Sequence, residues 1–190
     1  MIRKLTSTII VLALFVTFIA LGVMALFTDT ASVPSNAFST GTVDINTSPT
    51  SALVTFSNMA PGDAVVNPVT VSNGGSLALR YAVTSTTTEN TLAAQLDLTI
   101  KSGVTTCTTG GFDADGTVLY GAADLGSTTG VNVIGDPTQG ANTGDRTLAA
   151  SGSEVLCFKV SLPLSTGNTF QGLTSTATFA FQSEQTTNNP

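Results

Sequence analysis

The stretch GFDADG at residues 111–116 sets two carboxylates, Asp113 and Asp115, two positions apart and just ahead of a glycine. Calcium favours oxygen ligands presented by such a loop. The helix–loop–helix calcium pattern also needs a third oxygen donor before the glycine and a glutamate at the twelfth position. Asp124 stands there instead, and the rest of the spacing differs. Asp113 and Asp115 are therefore candidates for calcium set against a plain turn with two solvated aspartates. Asp136 and Asp145, in a later loop, admit the same two readings. The 190 residues contain no histidine, so no Ser-His-Asp or Cys-His arrangement can be built. A zinc hydrolase draws on nitrogen, sulfur or carboxylate ligands and a general base, and no His-Glu-x-x-His segment is present. Gly74-Gly75 and Gly110-Gly111 open no helix and read as turns, not phosphate cradles. No catalytic residue and no cofactor other than calcium is expected.

The remaining candidates for chemistry are Cys107 and Cys157. Arg3 and Lys4 precede an apolar run, IIVLALFVTFIALGVMA, that ends at Ala25. A basic start, an apolar centre and small residues at the end make a secretory signal. Val23-Met24-Ala25 places the cut between Ala25 and Leu26. The alternative is an uncleaved anchor, because the run is near the roughly 20 residues that span a bilayer. In an exported chain an even cysteine count points to a disulfide. It would close a loop of about 50 residues, which the chain-entropy model puts at roughly 4 kcal/mol. Two buried free thiols are the alternative.

Cleavage would leave 165 residues, enough for one well-buried core. Four basic residues would then face twelve acids, a net charge of −8. That balance argues against nucleic acid, whose phosphates call for basic groups, and against anionic lipid. Contact with the membrane is expected only through the signal before cleavage.

The elements that must carry these residues are strands. Beyond residue 40 the chain is rich in Thr, Ser, Gly, Val and Asn, and short period-two runs are bounded by Gly, Pro, Asn or Asp. Strands are read at residues 42–45, 52–56, 69–71, 77–83, 93–100, 118–120, 154–164 and 174–182. In the seventh, Val155, Cys157 and Lys159 share one face and Leu156, Phe158 and Val160 the other. Phe56, Phe158, Phe179 and Phe181 fall in strands and read as core. Residues 84–95 hold helix-favouring residues and could form a short helix. Residues 126–147 read as a long loop or an irregular hairpin around residues 131–134. The fold class is all-β, a single two-sheet β-sandwich of jelly-roll or immunoglobulin-like kind after an N-terminal signal helix.

Three stretches in order carry a family resemblance. They are GVMA followed by LFTDTASVPSNAFSTGTVDI, then MAPGDAVVNPVTVSNGGSLALRYAV, then SEVLCFKVSLPL with NTFQGLTSTATFAFQSEQTTNNP. The chain resembles the TasA/camelysin family of exported bacterial matrix and fibre proteins. The resemblance implies export with a SipW-type signal peptidase as a transient partner. It also implies β-sandwich subunits that donate the mature N-terminal segment to the sheet of the next copy. The organisation it suggests is a signal at 1–25, a candidate donor strand at 26–45 and a sandwich at 46–190. Physics permits the exchange: an open sheet edge accepts an extended segment through backbone hydrogen bonds, with alternate side chains in pockets. Leu26, Phe27, Val33 and Phe38 are the apolar candidates. Donation is head-to-tail and propagates, so the expected partner is the chain itself, as a homopolymer. The same residues could instead complete their own sheet. The camelysin branch also carries a metalloprotease description, against which the absence of histidine weighs. The expected place is outside the cell, in the matrix or at the surface, and the expected role structural. A tethered surface module is the alternative.

Overall fold

The computed structural model describes residues 5–6, 8–11, 37–50 and 58–189. They fall in two compact units, Met1–Ser39 and Thr40–Pro190. In the first, residues 5–6 and 8–11 are helical and 37–39 carry no regular structure. Among the described residues no helix is long and apolar enough to cross a membrane. The strand read at 52–56 and the expected cleavage position lie outside the described residues.

Alternation of small β-branched residues with apolar ones makes strands the main regular structure of the second unit. In chain order these are β1 (Ile45–Ser48), β2 (Ala64–Asn73), β3 (Leu79–Thr87), β4 (Asp97–Ser102), β5 (Thr117–Asp124), β6 (Val131–Ile134), β7 (Arg146–Leu148), β8 (Ser153–Ser161) and β9 (Ala177–Gln185). One sheet runs β1-β2-β8-β4-β5, and every pairing in it is antiparallel. In the other, β9 lies along one side of β3 for its whole length, while β7 and β6 share the other side. The two sheets enclose one apolar core.

Strand alternation decides what enters it. From β8, Leu156, Phe158 and Val160 are buried, from β3 Leu79, Tyr81 and Val83, and from β4 Leu98 and Ile100. Phe158 meets Phe179 of β9 edge-on, with ring centroids 5.1 Å apart, and Phe181 packs on Tyr81 at 6.2 Å. The expected core phenylalanines that are described thus face the interior. Burying a side chain of this size contributes about 1.5–3 kcal/mol.

The strand read at 42–45 begins only at Ile45 and runs to Ser48, and two further local readings are corrected. Residues 84–95 form no helix: β3 continues to Thr87, and 91–95 make a compact turn. The Glu89 carboxylate accepts from the backbone N–H groups of Thr91, Leu92 and Ala93. It satisfies the donors that open a helix, but the apolar periodicity needed to continue one is absent. Second, β2 runs through Pro68, well before the expected start at Val69. β1 pairs only with residues 70–73 of it, so Pro68 lies beyond that stretch, where a missing N–H is tolerated.

The start of the second unit is tied to its own sandwich. Leu77 and Gly74 donate backbone N–H groups to the carbonyls of Thr42 and Asp44, at 3.1 and 2.8 Å. Thr42 and Ser76 exchange two further bonds. Gly75 permits this approach, because a Cβ there would sit 2.4 Å from the Thr42 carbonyl oxygen. Residues 40–45, the end of the segment read as a candidate donor, therefore belong to the compact unit and lead into β1.

Candidate functional site

Of the candidate donor side chains, Leu26, Phe27 and Val33 lie outside the described residues. Phe38 is described and is 96% exposed. The described core draws on no residue before Ile45.

Among the described residues, three strands of the sandwich pair on one side only. Among the described residues β1 pairs only with β2, β5 only with β4, and β9 only with β3. β9 is the longest of these edges. Its inward residues, Phe179 and Phe181, join the core, while Thr178, Ala180 and Gln182 lie on the other face. The far end of β9 is locked: the Arg80 Nε donates to Glu184 at 2.6 Å, and the Gly140 N–H reaches the same carboxylate at 2.9 Å. Arg80 also donates to the Asn189 carbonyl. The Arg80 hydrogen bond holds the Glu184 carboxyl below its ordinary range. A cleft of about 130 Å³ over Ala82 lies between this pair and Asp136, Thr138 and Asp145. Its polar groups are largely engaged. Asp145 accepts from Asp136 N and Asn142 N, and Asp136 caps the Thr138 N–H.

Another polar link, unlike the first, runs between the two sheets. Tyr81 of β3, almost fully buried, donates its hydroxyl to Glu154 of β8 at 2.8 Å. Arg146 of β7 donates to the other carboxylate oxygen at 2.5 Å. Burial first, and the adjacent Glu154 charge second, push the Tyr81 hydroxyl well above the ordinary phenol range. It stays protonated and acts as a donor.

The calcium candidates diverge. Asp113 pairs with Lys159 of β8 at 3.0 Å, while Asp115 turns to the Thr105 N–H and hydroxyl. Those two bonds, the hydroxyl first, hold the Asp115 carboxyl below its usual range. Across β4 and β5, Asp97 stands opposite Asp124. No group of three Cys, Asp or Glu able to hold a metal occurs among the described residues.

Cys107 and Cys157 form a disulfide with Cα atoms 5.7 Å apart. Phe112 is not among the phenylalanines read as core from the sequence. It is 1% exposed and packs against this bridge.

The family model described as camelysin metallo-endopeptidase matches residues 1–102. Among solved structures the chain is similar to Spo0M, a sporulation control protein from Bacillus subtilis, at 15% identity and a TM-score of 0.28. The similarity covers 77% of this chain and 47% of that one, so the chain spans about half of that protein's length. No curated protein matches. A metallo-endopeptidase implies a metal, and the donors here do not fit one. Histidine is absent from the whole chain, both cysteines are joined, and the described carboxylates do not converge in threes.

Proposed function

The chain belongs to the camelysin family, and from that premise we propose that it is a non-enzymatic exported structural protein, a subunit of extracellular matrix fibres. Residues 1–25 act as the signal and are removed after Ala25. Residues 26–39 then pair with an open sheet edge of the next copy, for which β9 is the longest described candidate. The observation that carries this reading is a sandwich whose described core is built from residue 45 onward, with three strands that pair on one side only among the described residues. A long open edge favours addition of an extended segment. Repeated head-to-tail, such addition gives a filament.

The structural role draws support from the misfit between the donor set and a hydrolytic metal. Two experiments test the proposal. N-terminal sequencing of protein recovered from culture should begin at Leu26. Electron micrographs of the mature chain should show filaments that vanish when residues 26–38 are deleted. Filaments that persist after the deletion would overturn strand donation. A recovered chain that keeps residues 1–25 would favour a tethered surface module.

A further inference from the structure

The outer face of the β1-β2-β8-β4-β5 sheet carries a second, small apolar cluster, separate from the main core. It consists of Val66 of β2, Cys157 of β8 and Phe112, with Val104 and Cys107 packed against them. Strand register makes the floor: Cys157 stands beside Pro68 and Lys101, and Lys159 beside Val66 and Thr99. The roof is the loop of residues 103–116 between β4 and β5. Apart from Phe112, every residue of that loop is exposed or half-buried, Cys107 included.

Three things hold the roof down. The first is the disulfide to Cys157. The second is the Phe112 ring, flanked by the Lys101 and Lys159 amines at 4.7 and 5.2 Å from its centroid. The third is a set of exposed and half-buried polar bonds. Lys101 donates to the carbonyls of Phe112 and Asp115, and Lys159 pairs with Asp113, whose side chain is 71% exposed. Exposed ion pairs contribute little, about 0–1 kcal/mol. The loop's own backbone bonds are local turns within residues 106–114, so no ladder fastens it to the sheet. The covalent bridge is the dominant tether.

We infer that the 103–116 loop is a thiol-sensitive latch, which opens on reduction of Cys107–Cys157 and uncovers the Val66, Cys157 and Phe112 patch while the two-sheet core stays folded. A dithiol reductant supplies two electrons and two protons. The S–S bond breaks, two cysteine thiols form, and the reductant closes its own disulfide. Access is through the half-buried Cys107 side, since Cys157 is 1% exposed. The main core contains neither cysteine, so its packing survives reduction even though the lost loop closure lowers the stability of the fold as a whole.

The test is a short hydrogen-exchange pulse on the full chain, folded and oxidised, before and after treatment with dithiothreitol. Amides in residues 104–112 should label about tenfold faster or more after reduction, while those of β3 and β8 stay unlabelled within the pulse. Cys107→Ser without reductant should reproduce the fast loop. If that variant fails to fold, reduction of the folded chain still gives the readout. Phe112→Ala in the oxidised chain should loosen the loop less than reduction does. Loop labelling that reduction leaves unchanged would overturn the latch. So would labelling of the whole sandwich together, which would make the bridge a staple of the entire fold.

Discussion

Replacing Glu154 with alanine should cost the sandwich about 1–4 kcal/mol, and the cost should depend on Tyr81. The Glu154 carboxylate sits at the rim of the core with its side chain 16% exposed, and it receives the Tyr81 hydroxyl and the Arg146 guanidinium together. Its removal leaves the buried Tyr81 hydroxyl without that partner, a loss of about 1–3 kcal/mol. Arg146 is 31% exposed and can turn to water, so its share is smaller, about 1 kcal/mol or less. Tyr81→Phe alone removes the donor and leaves the Glu154–Arg146 pair, at about 1 kcal/mol. In the double variant no hydroxyl is orphaned. Its cost should therefore fall short of the sum of the singles by about 1 kcal/mol or more. Urea unfolding followed by far-ultraviolet circular dichroism, with a common m-value, measures all four corners of the cycle. Additivity within about 0.5 kcal/mol would show that Tyr81 and Glu154 do not hold the sheets together as a unit.

Other substitutions and conditions probe separate parts of the account. Gly75→Ala should destabilise by about 1–3 kcal/mol, because its Cβ would press on the Thr42 carbonyl. Hydrogen exchange at Leu77, whose N–H goes to that carbonyl, should rise with it. Acid should weaken the fold in a defined window. The folded pKa values of Glu184 and Asp115 are depressed, by Arg80 and Thr105 respectively. Their contribution is present above the unfolded carboxylate values of about 4 and is lost as pH falls through the lower folded ones. The urea midpoint should be flat near neutrality and drop in acid, and Glu184→Gln should reduce the drop. Added zinc should produce no cleavage of a casein substrate; zinc-dependent cleavage that a chelator abolishes would contradict the non-enzymatic reading.

What could be read from residues alone follows their spacing. The β8 alternation was legible because Leu156, Phe158 and Val160 keep strict period two, and the structure buries all three. The same alternation put Cys157 on the opposite face, where the 103–116 loop covers it. Phe112 was hidden, since its burial depends on a bridge and two lysines that come from distant strands. Residues 84–95, read as a candidate short helix, misled in the opposite direction. A capping residue announces free N–H groups, and a tight turn presents them as well as a helix does. The pairings Arg80–Glu184 and Tyr81–Glu154 join positions 104 and 73 residues apart; strand register brings the first pair together and the packing of one sheet on the other the second. The divergence of Asp113 and Asp115 had the same origin, because Lys159 reaches the loop from β8.

The claim on which the functional reading turns is that residues 26–39 complete a neighbour's sheet. Electron cryomicroscopy of the assembled mature protein, at a resolution that traces the backbone, tests it most directly. The account predicts density for that segment hydrogen-bonded along an open edge of the adjacent copy, with Leu26, Phe27, Val33 or Phe38 seated in its surface. A segment folded against its own sandwich, in a protein that stays monomeric, would contradict it.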